Sequence, residues 1–190
     1  MNKAIFLDKD GTLVPDVPYN VNPKLVSIEK NSLEGLQLIK DSGFKLIVIS
    51  NQSGIARGYF DIEKLRGVED KIQQLLRVHN LKVDGFYYCP HDTNDDCDCR
   101  KPNPGLILKA AQDFNIDLAQ SWMIGDILND VEAGNRAGCK TILIDNGNET
   151  EWILNENREP FFKASSINEA AELIQRSLKE ATPEATLLNE

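Results

Sequence analysis

The sequence contains no long apolar run. Its longest aliphatic stretch, residues 46–49, is far shorter than the ~20 residues that a membrane-spanning helix needs. The first seven residues contain one lysine and only four consecutive apolar residues, which is too few for the core of a signal peptide. These features argue against a helical membrane anchor and a secretory signal, and we therefore expect a cytoplasmic protein with no membrane partner.

Basic residues are scarce relative to acidic ones. The 190 residues include 21 Lys and Arg against 30 Asp and Glu, a formal net charge of −9 that is spread along the chain. Because a nucleic-acid surface needs a basic face, this balance argues against a nucleic-acid partner. The length and the apolar fraction of 41% suit one domain, which we place at residues 1–180. Residues 181–190 lack a periodic apolar face and are predicted to be a disordered tail, and we expect a monomer.

Cysteine and histidine are few but locally concentrated. Three of the four cysteines and one of the two histidines are Cys89, His91, Cys97 and Cys99. Three thiolates and one imidazole make a complete tetrahedral donor set for zinc, with no open position for a catalytic water. In a reducing compartment, cysteines bind metal more often than they form disulfides. We therefore predict a structural zinc site that fixes this loop, in preference to a redox switch or isolated surface thiols.

Short apolar runs alternate with amphipathic stretches along most of the chain. The predicted strands are residues 4–7, 45–49, 85–88, 122–124 and 141–144. The predicted helices are residues 32–41, 62–78, 104–114, 130–137 and 168–178. This alternation indicates an α/β fold, a Rossmann-like three-layer sandwich with a mostly parallel sheet. Ligands of such folds bind beyond the carboxyl ends of the strands, so polar residues that directly follow a strand are the candidates for function.

Two aspartates follow the first predicted strand, in Asp8-Lys9-Asp10-Gly11-Thr12-Leu13. Ionised carboxylates at the end of a buried strand are costly unless they are exposed, paired or bound to a metal. Asp8 and Asp10 together favour a hard divalent cation with oxygen ligands, which is typical of magnesium. A turn with aspartates bonded to the backbone is the alternative; a calcium loop is disfavoured because its further oxygen ligands are missing.

Three later segments place polar residues where the same site would need them. Ser50 follows the second strand in Ser50-Asn51-Gln52-Ser53-Gly54, where a hydroxyl and backbone N–H groups can bind a phosphoryl oxygen. Lys101 precedes a predicted helix and can neutralise a phosphate. Asp126 ends the fourth strand as a further metal ligand, with Asp130 in a supporting role. Read singly, these residues also suit a polar turn, a solvated basic pair and a helix N-terminal acid.

The order Asp-x-Asp, Ser, Lys, Gly-Asp-x3-Asp resembles the signatures of the haloacid dehalogenase superfamily of phosphotransferases, over roughly residues 4–145. The resemblance implies that Asp8 is the nucleophile and Asp10 the general acid and base, with Ser50 and Lys101 on the phosphoryl group. It also implies a catalytic Mg²⁺ held by Asp8, Asp10 and Asp126, with Asp130 in its outer sphere.

The Cys-x-His…Cys-x-Cys-Arg-Lys-Pro loop and the Ser-Asn-Gln-Ser-Gly-Ile-Ala-Arg-Gly stretch narrow the resemblance to the D-glycero-D-manno-heptose 1,7-bisphosphate phosphatases. That family removes the C7 phosphate on the way to surface-glycan precursors. The histidinol-phosphate phosphatases, which carry a comparable zinc loop, are the alternative, so the expected substrate is a phosphorylated sugar or amino alcohol. The resemblance implies these substrate-binding residues: Asp16, Tyr19, Ser50, Asn51, Gln52, Ser53, Arg57, Arg100 and Lys101.

The segment between residues 13 and 30 is too short for a large cap domain. An open pocket of this kind favours hydrolysis, because water can reach a covalent intermediate. A phosphotransferase or mutase, and a zinc-loop binding module that has lost its chemistry, are the remaining alternatives. The second would require a missing carboxylate, yet Asp8, Asp10 and Asp126 are all present.

Overall fold

A computed structural model describes residues 1–181; the predicted disordered tail lies almost wholly outside the described residues. Six strands form one sheet in the order β3-β2-β1-β4-β5-β6, and every neighbouring pair is parallel. The strands are β1 Lys3–Leu7, β2 Phe44–Asn51, β3 Gly85–Cys89, β4 Trp122–Gly125, β5 Lys140–Ile144 and β6 Phe162–Ala164.

Five α-helices connect or follow these strands. They are α1 Leu33–Asp41, α2 Leu65–Arg77, α3 Gly105–Phe114, α4 Leu128–Ala137 and α5 Ile167–Ala181. Short 3₁₀ turns at Pro23–Leu25, Ile62–Lys64 and Leu118–Gln120 complete the regular structure of residues 1–181. Helix α1 ends before Gly43 and α4 before Gly138, which both adopt the positive φ that a helix C-terminus favours.

The helices cover both faces of the sheet. Residues of α1, α2 and α5 pack on one face with Ile5 and Leu7 of β1, whereas α3 and α4 pack on the other with Ala4 and Phe6. Successive side chains of a strand point to opposite faces, so a strand buried on both sides must be apolar at every position. The apolar runs of the sequence have this origin, and the predicted three-layer α/β sandwich is confirmed.

The structure adds one strand that the sequence pattern did not predict. Strand β6 is only three residues long and lies at the sheet edge beside β5, and its Lys163 is exposed. Such a strand carries no continuous apolar run, so its pairing is decided by the tertiary structure. Helix α4 also begins two residues earlier than predicted, at Leu128.

The chain adds strands to the sheet in opposite directions from its centre. After β1 it adds β2 and β3 on one side, and then β4, β5 and β6 on the other, so the direction switches between β1 and β4. Strand β1 pairs with β2 on one side and with β4 on the other, with Leu7 opposite Ile124. Ligands of such sheets bind in a crevice beyond the carboxyl ends of the two strands at this point. In residues 8–32, which follow β1, the only regular element is the 3₁₀ turn Pro23–Leu25, so no large cap domain covers the crevice from that side. No helix within residues 1–181 is long and apolar enough to cross a membrane.

Candidate active site

Three carboxylates meet beyond the carboxyl ends of β1 and β4. Oxygens of Asp8, Asp126 and Asp130 all lie within 4.8 Å of one another, and all three residues are buried. Asp8 directly follows β1 and donates its backbone N–H to the Ile124 carbonyl at 2.9 Å. Asp126 directly follows β4, and Asp130 lies in the first turn of α4. The parallel pairing of β1 with β4 therefore brings together residues that are more than a hundred positions apart.

Lys101 extends its ammonium into this carboxylate cluster. Its Nζ donates to Asp8 Oδ1, pairs with Asp130 Oδ1 at 2.6 Å and donates to the Ile49 carbonyl at 2.9 Å. The side chain is almost wholly buried, so these contacts are shielded from water. Lys101 thus lies within contact distance of the predicted nucleophile, as a residue that neutralises a phosphoryl group must.

Two glycines permit the close approach of these side chains. Gly11 has φ +84°, and a Cβ built on it would lie 2.2 Å from Asp126 Oδ2. A Cβ on Gly125 would lie 2.2 Å from Asp130 Oδ2. Either added carbon would have to displace a carboxylate of the cluster, because real Cβ atoms do not approach oxygen so closely. The glycines of the two Asp-containing segments are therefore required by packing around the carboxylates.

The pKa values of the three aspartates are raised, which indicates that the cluster holds too little positive charge to balance its carboxylates. Burial, assisted by the neighbouring carboxylates, raises the pKa of Asp8 from 3.8 to about 7 against the opposing effect of Lys101. Burial and then the charge of Asp8 raise the pKa of Asp126 to about 6, and burial also raises the pKa of Asp130. Burial would lower the pKa of Lys101, but Asp130 and Asp8 outweigh it and raise that pKa.

The donor chemistry of the cluster fits a divalent cation. Three carboxylates face one ammonium, which leaves a formal excess of two negative charges in a buried position. Carboxylate oxygens are the ligands that Mg²⁺ prefers, and a divalent ion would balance the excess charge. Asp8 and Asp126 were predicted ligands; Asp130, which was assigned to the outer sphere, lies within 4.8 Å of both and pairs with Lys101.

Asp10 is held by two neighbouring side chains. Its Oδ1 accepts from Lys9 Nζ at 2.8 Å, and its Oδ2 accepts from Gln52 Nε2 at 3.1 Å. The same Gln52 amide donates to Ser50 Oγ at 2.8 Å. Lys9 is buried, so water screens its ion pair with Asp10 only weakly. Gln52 therefore links the loop after β1 to the loop after β2.

Three other residues that were predicted to bind substrate also make hydrogen bonds within the protein. The Asn51 side-chain amide donates to the Lys101 carbonyl and accepts from the Lys101 N–H, both at 3.0 Å, which fixes the backbone that carries the lysine. Arg100 donates to the carbonyl of His91 at 3.0 Å. The carbonyl of Ser53 accepts from the Arg57 N–H at 3.1 Å, and the Ser53 side chain is half-buried.

Three loops meet at an exposed rim, which consists of Tyr19, Arg57 and Asp92. The Arg57 guanidinium makes a bidentate ion pair with Asp92, at 2.9 Å from Nε and 2.8 Å from Nη2. Its Nη1 donates to the Tyr19 hydroxyl, and Tyr19 also makes an edge contact with Tyr59. Asp92 was absent from the predicted site; the pairing has no spacing signature, because it joins loops 35 positions apart. Asp16 is exposed, in the same loop as Tyr19.

The second cluster consists of Cys89, His91, Cys97 and Cys99, whose donor atoms all lie within 4.8 Å of one another. The Sγ–Sγ separations are 3.0 to 3.8 Å, and His91 Nδ1 lies 3.2 Å from Cys99 Sγ. A tetrahedron of Zn–S bonds of about 2.3 Å has edges close to 3.8 Å, so the donor set fits zinc. None of the four cysteines, all within the described residues, forms a disulfide.

The segment after β5 that contains Asn146 and Asn148 also reaches the carboxylate cluster, although it belongs to none of the sequence motifs. Asn148 Nδ2 donates to Asp126 Oδ2 at 2.7 Å, and Asn146 Nδ2 donates to the Gly11 carbonyl at 2.8 Å. Thr12 Oγ1 donates to the other oxygen of Asp126 at 3.1 Å. Asparagines in a polar loop predict only a turn, so no sequence pattern indicates this contact.

Comparison with known proteins agrees with this geometry. The family model described as "HAD-hyrolase-like" matches residues 98–170. A D-glycero-beta-D-manno-heptose-1,7-bisphosphate 7-phosphatase of Pasteurella multocida is 42% identical over 154 residues, which are 77% of this chain and 84% of that relative. The enzyme of the same name from Escherichia coli K12 is 36% identical over 80% of this chain and 88% of its own length.

A solved structure shares the fold. The D,D-heptose 1,7-bisphosphate phosphatase of B. bronchiseptica, crystallised with magnesium and phosphate, is similar with a TM-score of 0.78 and 30% identity. The match covers 92% of this chain and 99% of that one. With the carboxylate cluster, the parallel sheet and these relatives taken together, the chain belongs to the D-glycero-D-manno-heptose-1,7-bisphosphate 7-phosphatase family of haloacid dehalogenase-like phosphatases.

Proposed function

We propose that this protein hydrolyses the C7 phosphate of D-glycero-D-manno-heptose 1,7-bisphosphate through an aspartyl-phosphate on Asp8. The observation that carries the proposal is one buried cluster beyond β1 and β4, in which Asp8 pairs with Lys101 and lies within 4.8 Å of Asp126. Relatives named for this reaction are 36–42% identical to the chain over most of its length. The fold alone would not support a substrate, because one fold hosts many chemistries.

The first step transfers the phosphoryl group to Asp8. A carboxylate oxygen of Asp8 attacks phosphorus, and the bond from phosphorus to the sugar oxygen breaks as the new bond forms. Asp10 gives its proton to the departing alkoxide, which leaves as the free hydroxyl. Lys101, already beside Asp8, offsets the negative charge on the phosphoryl oxygens.

The second step hydrolyses the aspartyl-phosphate. Asp10, now a carboxylate, takes a proton from a water molecule, whose oxygen attacks phosphorus. The bond from phosphorus to Asp8 breaks, which returns the free carboxylate and releases inorganic phosphate. The ion pair with Lys9 and the hydrogen bond from Gln52 hold the Asp10 carboxylate in place between the two steps.

Asp8, Asp10 and Asp126 would hold Mg²⁺, with Asp130 beside them. The ion supplies charge stabilisation for the phosphoryl oxygens when it is bound. Ser50 donates its hydroxyl to a phosphoryl oxygen, because the buried Oγ lies at the end of β2 beside the crevice. Asn51 acts on the phosphate through Lys101, whose backbone it holds on both sides.

Specificity comes from the loops that border the open crevice. Asp16 and Tyr19 contact the sugar, while Arg100 and Arg57 contact the phosphate that is not transferred. The bidentate pair with Asp92 fixes the Arg57 guanidinium, and Arg57 in turn fixes the Tyr19 hydroxyl. The backbone N–H of Ser53 lies in the loop after β2, where a bound phosphate would be reached.

The cysteine–histidine cluster holds a structural zinc. Its four donors leave no position open for a substrate or a water. The zinc loop supports the crevice directly, because the Gln52 N–H donates to the Cys89 carbonyl at 2.8 Å and Lys101 follows Cys99 by two residues. The metal therefore positions catalytic groups without taking part in the chemistry.

The test compares phosphate release from heptose 1,7-bisphosphate and from histidinol phosphate with Mg²⁺ present. We expect the wild-type protein to prefer the heptose bisphosphate and the Asp8→Asn variant to lose activity by a factor of ~10⁴ or more, since the amide cannot form the covalent intermediate. Labelled phosphate should be found on Asp8 after a rapid quench and, at later times, as free inorganic phosphate. A preference for histidinol phosphate would overturn the substrate assignment, and an active Asp8→Asn variant would overturn the mechanism.

A further inference from the structure

We infer that Asn148 is a positioning residue for the metal site, acting through Asp126. The inference rests on the proposed function, because it takes Asp126 as a ligand of Mg²⁺. Asn148 lies in the segment between β5 and β6, outside every motif that identified the site. Its contact is made to the oxygen of a buried carboxylate and not to the bulk surface.

Both oxygens of Asp126 are held by donors from different parts of the chain. Thr12 Oγ1 donates to Oδ1 at 3.1 Å, and Asn148 Nδ2 donates to Oδ2 at 2.7 Å. A carboxylate oxygen has two lone pairs, so each can accept one such bond and still ligate a cation. The two donors fix the rotation of the carboxylate and thereby aim the remaining lone pairs. Ligands oriented by such outer contacts bind metal more tightly than free ones.

The backbone of Gly11 packs closely against the hydrogen bond between Asn148 and Asp126 and restricts its geometry. A Cβ built on Gly11 would lie 2.2 Å from Asp126 Oδ2 and 2.6 Å from Asn148 Nδ2. The glycine backbone therefore packs directly against the Asn148–Asp126 hydrogen bond. Asn146 closes the same arrangement, because its amide donates to the Gly11 carbonyl at 2.8 Å.

The segment that carries Asn148 is fixed to α4 at two points. Glu149 Oε2 accepts from the Leu128 N–H at 2.6 Å, at the start of the helix. Further along, Arg158 Nε pairs with the buried Glu132 of the same helix at 2.6 Å. The loop is thus bonded through Glu149 and Arg158 to α4, the helix that bears Asp130. These contacts hold Asn148 in a defined position relative to the carboxylate cluster.

The test is a calorimetric Mg²⁺ titration of the protein after Mg²⁺ has been removed and zinc retained. We compare wild type, Asn148→Ala and Thr150→Ala, which truncates a neighbouring exposed side chain of the same loop and is the matched control. Removing the outer contact should raise the Mg²⁺ dissociation constant by about 10–100-fold in Asn148→Ala. Thr150→Ala should bind Mg²⁺ as wild type does.

Two further readouts separate positioning from a general loss of structure. Zinc content and far-UV circular dichroism of Asn148→Ala should match wild type, and its kcat should recover at saturating Mg²⁺. Thr12→Val, which removes the other donor to Asp126, should weaken Mg²⁺ binding in the same direction. Unchanged Mg²⁺ affinity in Asn148→Ala would overturn the inference. A wild-type protein that does not bind Mg²⁺ would instead contradict the proposed function.

Discussion

The carboxylate cluster draws its side chains from positions 8 to 130, whereas the cysteine–histidine cluster takes all four donors from residues 89–99. The first exists only because β1, β4 and α4 are assembled side by side. The second is confined to the last residue of β3 and the loop that follows it, and can be recognised from spacing alone. A local donor set stabilises a segment that lacks a core of its own, while a non-local set places reactive groups where distant loops can reach them.

The two regions are nevertheless joined through Lys101. The lysine follows Cys99 by two residues, yet its ammonium lies among the carboxylates. Asn51 at the end of β2 holds the Lys101 backbone on both sides. Loop geometry set by the cysteine–histidine cluster can thus be transmitted to the carboxylate cluster. Three variants or conditions test how far the two regions act separately.

The largest effect is expected for Lys101→Met. The variant removes the only ammonium that contacts Asp8 among the described residues, so kcat should fall by about 10²–10³-fold. Lys109→Met, which alters an exposed lysine paired with Asp113 on α3, is the control and should keep wild-type activity. Zinc content should be unchanged in both variants. Activity of Lys101→Met within a few fold of wild type would show that the ammonium is not required on the phosphoryl group.

Cys97→Ser should produce an intermediate effect that begins in the zinc loop and reaches the carboxylates. Loss of one thiolate should release zinc, and because metal binding contributes folding free energy the Tm should fall by several degrees. Cys139→Ser changes a buried thiol outside the cluster and should retain zinc. Metal analysis, thermal unfolding and kcat are measured for both. Full activity in a zinc-free Cys97→Ser protein would mean that the two regions are independent.

The smallest effect is the pH dependence of stability without Mg²⁺. Asp8 and Asp126 have folded-state pKa values of about 7 and about 6, above the usual 3.8, so the folded state binds more protons than the unfolded one in this range. Stability should therefore decrease as the pH rises from about 4 to about 7. Mg²⁺ should reverse this loss, and Asp8→Asn should make it smaller. The contribution is measured as Tm against pH; a rise in Tm over this interval that Asp8→Asn does not alter would contradict it.

The sequence predicted most of the regular structure because its strands are buried on both faces. Residues 4–7 and 122–124 are apolar throughout, and the structure places them in β1 and β4. Strand β6 was missed because a three-residue edge strand with an exposed lysine carries no such pattern. Asp8 and Asp126 were found because each directly follows a strand, and the cysteine–histidine cluster was found because the spacing of its four residues is local.

Contacts between loops could not be predicted from sequence patterns in the way that the strands were. Asp92 with Arg57, Gln52 with Asp10, and Asn148 with Asp126 each join polar residues 22 to 42 positions apart, where no periodicity links them. Polar loop residues satisfy turn chemistry in many conformations, so their partners depend on how the strands are ordered. The strand order itself, with β1 between β2 and β4, follows from the assembly of the whole sheet.

By itself the amino-acid sequence determined the α/β class, the members of the cysteine–histidine cluster and the identity of the carboxylates and lysine, because apolar runs, thiol spacing and strand ends are local properties. Only the tertiary structure decided that Asp130 joins Asp8 and Asp126, that Lys9 and Gln52 hold Asp10, and that Asn148 fixes Asp126. Those contacts depend on distances between chain segments, which the packing of helices on the sheet sets and no short stretch of sequence encodes.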